Sequence, residues 1–242
     1  MKKIAVIGEI CRDRFIYCQS TRLSPEAPVP IVKPLDIIEN SGMAGNVVEN
    51  IRAIEPNFEI FSIHQENIIT KTRYVDKKSN HMFLRVDEGE NSSCDRVENL
   101  PDLSLFDMVV VSDYGKGFLS GQDLEDIARV SKISILDTKK RLDPQIAKLF
   151  TFIKLNEGER ELNHHLDDNN LIITLGHRGS MYQNILFPQP NPLETIDVSG
   201  AGDTFLASFS VEYLKTGDII SSIRFANQMC ALVVSKKGVA TP

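Results

Sequence analysis

Apolar residues fall along this chain in two rhythms. Short, nearly unbroken apolar runs occur in KIAVIG (Lys3–Gly8), FEIFSIH (Phe58–His64), FDMVVVSD (106–113), ISILD (133–137), FTFIKLN (150–156) and NLIIT (170–174). Runs of this length, ended by Gly, Asp or Asn, predict strands buried on both faces, as in a parallel sheet. Between them, apolar positions recur at helical spacing. Ser41–Glu55 carries Val47, Val48, Ile51 and Ile54 on one stripe, and 221–238 carries Ile223, Ala226, Cys230 and Val234 in register. GQDLEDIARVSK reads as a crossover helix, and FLASFSVEYLKT as a helix stopping at Gly217. Strand and helix therefore alternate, which predicts an α/β fold with a doubly wound, mostly parallel sheet.

Two stretches break the rhythm. TRLSPEAPVPIVKPLDIIEN holds Pro25, Pro28, Pro30 and Pro34, which exclude a helix or a central strand and fit an extended, edge-like excursion. Ile69–Val75 and His81–Glu90 alternate apolar and polar residues, with a turn near Lys77–Asn80, and predict an antiparallel pair. Lys71, Arg73 and Arg85 make this pair locally positive. Such a patch suits an anionic substrate, or is simply a solvated strand face.

At 242 residues, 42% hydrophobic and 25% charged, the chain predicts one domain spanning 1–242. A net charge of −6 without a basic stripe argues against nucleic acid or an anionic membrane as partner. Cys11, Cys18, Cys94 and Cys230 show no zinc or Cys-x-x-Cys spacing and predict reduced thiols in a cytoplasmic protein. The apolar run of MKKIAVIGEI is cut at Glu9, too short for a signal peptide, and no run reaches membrane-spanning length.

The chemistry concentrates in DVSGAGDTF, Asp197–Phe205. Gly200 and Gly202 let successive N–H groups converge, and the helix that follows adds its N-terminal donors and partial positive charge. Asp203 sits in that first turn. A carboxylate beside an anion seat is repulsive unless it accepts a proton, which points to phosphoryl transfer onto a hydroxyl; the plainer reading is a helix cap. Asp13 follows the first strand, where ligands of open α/β sheets gather, or is a loop carboxylate paired with Arg14 or Arg12. Asp113 also ends a strand. Asn46 lies at a helix start beside Gly42 and Gly45 and is either a ligand contact or a cap. Asn156 and Glu159, three apart at a helix start, could hold magnesium through water or form a capping box. Adjacent His164 and His165 diverge on a helix and are not read as a metal site.

Asp-x-x-Gly-Ala-Gly-Asp resembles the signature of the ribokinase-like (PfkB) carbohydrate kinases. The resemblance implies Asp203 as catalytic base and the amides of Gly200, Ala201 and Gly202 as anion hole. It implies sugar contacts from Asn46 and Gly42, where Ser41 replaces the family's first glycine. Tyr114-Gly-Lys-Gly117 resembles the family's turn and implies that Asp113 and Lys116 lie near the sugar and the transferred phosphate. Asp137-Thr-Lys139 stands where the family has Asp-Pro-Lys. The family's Asn-x-x-Glu implies magnesium held through water at Glu159, with Asn156 beside it. Thr174, Gly176 and Gly179 imply a nucleotide wall, and Asn227 an adenine pocket. ATP and Mg2+ follow as implied cofactors, with room for a monovalent cation.

Arg22-Leu-Ser-Pro-Glu-Ala-Pro-Val-Pro-Ile-Val32, Thr-Lys-Thr-Arg and Leu-Arg-Val-Asp resemble the heptose-phosphate kinases within that family. This implies a small antiparallel β lid, from about 11–40 and 69–90, over the sugar site, and a homodimer through it. Lys71, Arg73, Arg85 and Asp87 become candidates for a sugar phosphate. The expected reaction is transfer of the ATP γ-phosphate to the anomeric hydroxyl of a heptose 7-phosphate, in nucleotide-heptose synthesis. The alternatives are a family kinase for another sugar or sugar phosphate, or an idle sugar- or nucleotide-binding homologue. The family normally has a further strand–helix–strand passage between His64 and Ile69, so a trimmed core is expected. The chain stops earlier than most members, and the next nucleotidyl-transfer step is expected from a partner.

Overall fold

The computed structural model describes residues 1–89, 95–190, 196–236, 238 and 240–242. Cys94 and Glu90, the end of the second lid segment, lie outside the described residues. The chain opens with β1 (Lys3–Gly8), β2 (Ile10–Leu23), β3 (Pro30–Met43), α1 (Ala44–Ile54) and β4 (Glu59–Ile63). β5 (Ile69–Asp76), β6 (Met82–Glu88), β7 (Met108–Asp113), α2 (Gly121–Val130), β8 (Ser134–Thr138) and the single turn α3 (Pro144–Ala147) follow. β9 (Phe152–Asn156), α4 (Glu157–Leu162), β10 (Leu171–Thr174), β11 (Ser180–Tyr182), β12 (Ile185–Phe187), α5 (Ala201–Thr216) and α6 (Ile219–Val234) complete it.

The main sheet has the order β12-β11-β10-β9-β8-β7-β1-β4. From β4 to β10 every neighbour is parallel; β11 and β12 turn back antiparallel. The unbroken apolar runs are the parallel strands, because helices cover both faces. On one face Ala5, Ile7, Val109, Val111, Leu136 and Ile153 pack with α2 residues Leu124 and Ile127. On the other, Ile4, Val6, Met108, Val110 and Ile135 pack with α1, α5 and α6 through Val47, Ile51, Phe205, Phe209 and Ile223. The chain leaves β1 for β4 on one side and returns as β7 on the other. The crevice beyond the carboxyl ends of β1 and β7 is thus the topological switch point.

The lid is a second sheet of order β3-β2-β5-β6. Its outer pairings are antiparallel; the middle one, β2 with β5, is parallel. The proline-rich stretch forms the edge strand β3, where missing N–H donors cost nothing. Phe15, Tyr17 and Val75 give the lid its own small core. Among the described residues, no helix is long and apolar enough to cross a membrane.

Gly8 marks where β1 and β7 close on each other. A Cβ there would lie 2.0 Å from the Ser112 carbonyl oxygen. Gly8→Ala is expected to cost about 1–3 kcal/mol, or roughly 3–10 °C in Tm. Gly121→Ala, whose Cβ would meet only the Ile146 Cδ1 methyl at 3.6 Å, should leave the thermal denaturation midpoint unchanged.

Candidate functional site

The site begins with the turn into α5. Gly200 adopts φ 81°, ψ 0°, a left-handed conformation that lets the chain reverse directly into the helix. First-turn helix amides have no intrahelical acceptor and so stay available to an anion. Of the three expected anion-hole donors, the Ala201 amide is engaged inside the turn, donating to the Val198 oxygen at 3.2 Å.

Asp203 is 5% exposed and lines a cavity of about 990 Å³. It does not cap α5; the cap position is Gly200. Its Oδ2 accepts the Asn46 side-chain amide at 3.0 Å, and its Oδ1 accepts the Tyr114 hydroxyl at 2.9 Å. Burial pushes its pKa up to about 6, and Asp137 adds to the rise; the Asn46 and Tyr114 hydrogen bonds and Lys154 pull the other way. Asn46 is the third residue of α1, not its cap, which is Met43. Asn46 Oδ1 accepts the Asn50 amide at 2.9 Å, and Asn50 Oδ1 accepts the Thr204 hydroxyl at 2.9 Å. A chain of side chains therefore bolts α1 to α5 behind the carboxylate.

The turn after β7 is built on Glu9, which is fully buried. Its carboxylate accepts the amides of Tyr114 at 2.8 Å, Lys116 at 2.9 Å and Phe118 at 3.4 Å. Asp113 departs from its expected role. Its carboxylate is enclosed by Lys140 Nζ at 3.0 Å, the Thr138 hydroxyl at 2.7 Å and the Gly115 amide at 3.0 Å. It braces the turn, and neither it nor Lys116 lines the cavity.

The cavity floor carries an alternating row of charges. Lys154, 2% exposed, bonds Asp137 Oδ2 at 2.7 Å, and its Nζ lies 3.1 Å from where a Gly202 Cβ would stand. Sequence reading missed Lys154, yet a lysine inside the apolar run FTFIKLN is itself a signal, because a buried ammonium must be paired. Asp137 Oδ1 has no hydrogen-bond partner among the described residues; Lys139 Nζ lies 3.7 Å away. Burial works against the charge of Lys139, but Asp137 and Glu159 outweigh it and raise its pKa. Asn156 and Glu159 form the capping box that was one of their two readings, each accepting the other's backbone amide at 2.9 and 2.7 Å. Glu159 is also bonded to Lys139.

Asn156, Thr174, Gly176, Gly179 and Asn227 all line the cavity, whereas Glu159 does not. The Asn227 amide is used within the wall, donating to the Phe187 oxygen at 2.9 Å and accepting the Ser180 hydroxyl at 3.1 Å. It shapes the pocket more than it offers polar atoms to it. Cys230 also lines the wall, its thiol pushed up to about 12 by burial. The three described cysteines are free.

On the lid, Asp13, Lys71 and Asp87 form one cross-strand row and Phe15, Arg73 and Arg85 the next, all on one face. Asp13 lies inside β2, not in a loop, and its partner is Arg73 rather than Arg12 or Arg14, which reach Glu39. Arg85 is held by Asp87 at 2.7 Å. The expected positive patch is thus partly neutralised. Gly42 is required beside it, because a Cβ would meet Asp13 Oδ2 at 2.4 Å and Cys11 Sγ at 2.5 Å. The ammonium groups of Lys71 and Lys139 lie 5.7 and 5.1 Å from the centre of the Tyr114 ring. A smaller hollow of about 290 Å³ touches Asn40, Ser41 and Asn46. Asn46 therefore bonds Asp203 on one side and borders this hollow on the other.

Comparison with known proteins accords with this geometry. A bifunctional protein HldE from Nitratiruptor is 27% identical over 289 residues, covering 99% of this chain and 63% of that protein. The HldE of Campylobacter curvus is 29% identical over 296 residues, at 99% and 63% coverage. The chain thus spans about three-fifths of these relatives. Each match runs over more positions than the chain's 242 residues, so the relatives carry insertions within it. Among solved structures, ribokinase from Thermotoga maritima superposes with a TM-score of 0.72 at 16% identity, covering 99% of this chain and 95% of its own. Arabidopsis thaliana ribokinase complexed with ribose and ATP gives 0.70 at 15% identity, with 98% and 94% covered. The ribokinase-like α/β fold is thereby shown. The model of the pfkB family carbohydrate kinases matches residues 61–242, and the chain belongs to that family of sugar kinases.

Proposed function

We propose that this carbohydrate kinase uses ATP to phosphorylate the anomeric hydroxyl of a heptose 7-phosphate, giving the 1,7-bisphosphate. The observation carrying the transfer chemistry is the Asp203 carboxylate, fixed by two donors at the wall of the cavity that the glycine turn enters. ATP use draws support from the relatives' solved complexes with ATP and ADP. The heptose assignment draws on the HldE similarity and on Lys71, Arg73 and Arg85, which share one face of the second sheet. The reaction would belong to nucleotide-heptose synthesis.

The acceptor hydroxyl loses its proton to Asp203 as its oxygen bonds the γ-phosphorus, and the bond to the β–γ bridging oxygen breaks, releasing ADP. The amides of Gly200 and Gly202 and the ammonium of Lys154 meet the phosphoryl oxygens, where charge develops. The partnerless Asp137 Oδ1 and the carboxylate of Glu159 are hard oxygen donors suited to a hydrated magnesium ion. Glu159 already accepts from Asn156 and Lys139, so its hold on the ion would pass through water. Magnesium, when bound, offsets the charge of the phosphates.

The deciding test is coupled ATP turnover against free and phosphorylated sugars. Turnover that rises only with heptose 7-phosphate supports the proposal; preference for another sugar replaces the substrate, and no sugar-dependent turnover favours the idle homologue. Asp203→Asn should lower kcat about a hundredfold or more. The same variant should gain stability. The folded-state pKa of about 6 lies above the ordinary 3.8, so the wild type loses stability as pH rises from about 4 through about 6 and stays lower above it. Asp203→Asn lacks that loss, roughly 3 kcal/mol at most. Its Tm should exceed the wild type's near about pH 7.5, the gap closing toward about pH 4.

The homodimer belongs to the same proposal. The lid face away from Asp13 and Arg73 bears the row Ile37, Ile16, Tyr74 and Leu84, with Ile37 53% and Leu84 56% exposed. An apolar sheet face of this kind suits a second copy. Sedimentation should give a dimer for the wild type and a monomer for Ile37→Asp/Leu84→Asp; an unchanged sedimentation coefficient would remove the lid from the interface.

A further inference from the structure

Tyr114 stands where three parts of the fold meet. Its amide donates to Glu9 at 2.8 Å, at the junction of β1 and β2. Glu9 also takes the Lys116 and Phe118 amides, and Gly115 at φ 70° and Gly117 at φ 105° let the turn curl around it. Two ammonium groups approach the ring, Lys71 from the lid at 5.7 Å and Lys139 from the cavity floor at 5.1 Å from its centroid. Its hydroxyl ends 2.9 Å from Asp203 Oδ1. We propose that Tyr114 is a positioning residue whose hydroxyl, hung from the buried Glu9 turn, works with the Asn46 amide to hold Asp203 as an oriented, ionised base. The proposal rests on the phosphotransferase reading above for its catalytic meaning, but not for its physical test.

A carboxylate offers about four lone-pair sites. One donor on each oxygen fixes the plane of the group and leaves the remaining sites for a substrate proton. The clamp also counters burial. Two groups oppose each other from the neighbouring strands: Asp137 on β8 disfavours the Asp203 charge and Lys154 on β9 favours it. Lys139 and the Cys11 thiol complete the titratable neighbours, and Cys11 is itself pushed up to about 12 by burial. Tyr114 stays a donor throughout, because burial, then Asp203, raise its pKa well above the ordinary phenol value. Replacing its hydroxyl by hydrogen removes only an interaction that favours the carboxylate.

The test uses protein labelled with 13C at the aspartate carboxyl carbon, titrated by NMR, with the Asp203 signal assigned through Asp203→Asn. In Tyr114→Phe the Asp203 midpoint should rise by about one pH unit, and the acid limb of kcat/KM should move by the same amount. The plateau rate at high pH should also fall, by about tenfold, because one of the two donors that fix the carboxylate plane is lost. Tyr182→Phe, whose hydroxyl bonds the Asn169 oxygen at 3.4 Å, should move neither. An unmoved midpoint, or a uniform rate loss with the limb in place, overturns the proposal. Failure of the kinase reading looks different: the midpoint moves as expected while no sugar drives ATP turnover.

Discussion

The arrangement around the cavity turns on holding one carboxylate, Asp203, inside the protein. Asp203 has almost no contact with bulk water, and burial alone favours its neutral form. What opposes burial is a set of donors that reach it from different elements: Asn46 from α1, Tyr114 from the turn after β7, and Lys154 from β9 at longer range. None of these donors is free to move. Asn46 is tied through Asn50 to Thr204, one residue beyond the carboxylate itself. Tyr114 is tied to Glu9. The loop therefore closes on itself, and packing of α1 against α5 is the same event as assembly of the donors around Asp203.

The cavity floor follows a related logic. Lys154, Asp137, Lys139 and Glu159 alternate in sign within a small space. Each buried charge is compensated by the next, which limits the desolvation cost that isolated charges would carry. The compensation is incomplete at Asp137, whose second oxygen lacks a hydrogen bond. A polyphosphate with its magnesium would bring both signs of charge to this row, finding Lys154 and the glycine turn for its oxygens and the acids for its cation.

The fold was legible because its strands are apolar on both faces and its helices on one. The limits of β1, the turn between β5 and β6, and the stop of α5 at Gly217 all follow from local rules. Asp203 was legible because glycine geometry and a misplaced negative charge coincide in a few residues. What local rules could not supply was partnership. Asp13 read either as a ligand contact or as a carboxylate paired with Arg12 or Arg14, and its actual partner, Arg73, comes within reach only through the parallel pairing of β2 with β5. Asp113 looked the same, but Lys140, Thr138 and Gly115 converge on it only when β7 and β8 lie side by side. Tyr114 and Asp203 are 89 residues apart in sequence, so nothing in either segment announces their contact.

The same topology explains how a shortened chain can keep the site whole. The expected strand–helix–strand passage is missing after β4, and β4 is the terminal strand of the main sheet. Shortening there narrows the sheet at an edge. The cavity is built elsewhere, from the carboxyl ends of β7, β8, β9 and β10 with α5 and α6, and its link to β1 runs through Glu9. β1 remains an interior strand, paired with both β4 and β7. The edge still costs something: Phe61 on β4 is 42% exposed, shielded in part by its edge-on contact with Phe106. Exposed aromatic surface lowers stability in water without displacing any residue that touches Asp203, so the loss falls on the stability of the sheet rather than on the geometry around that carboxylate.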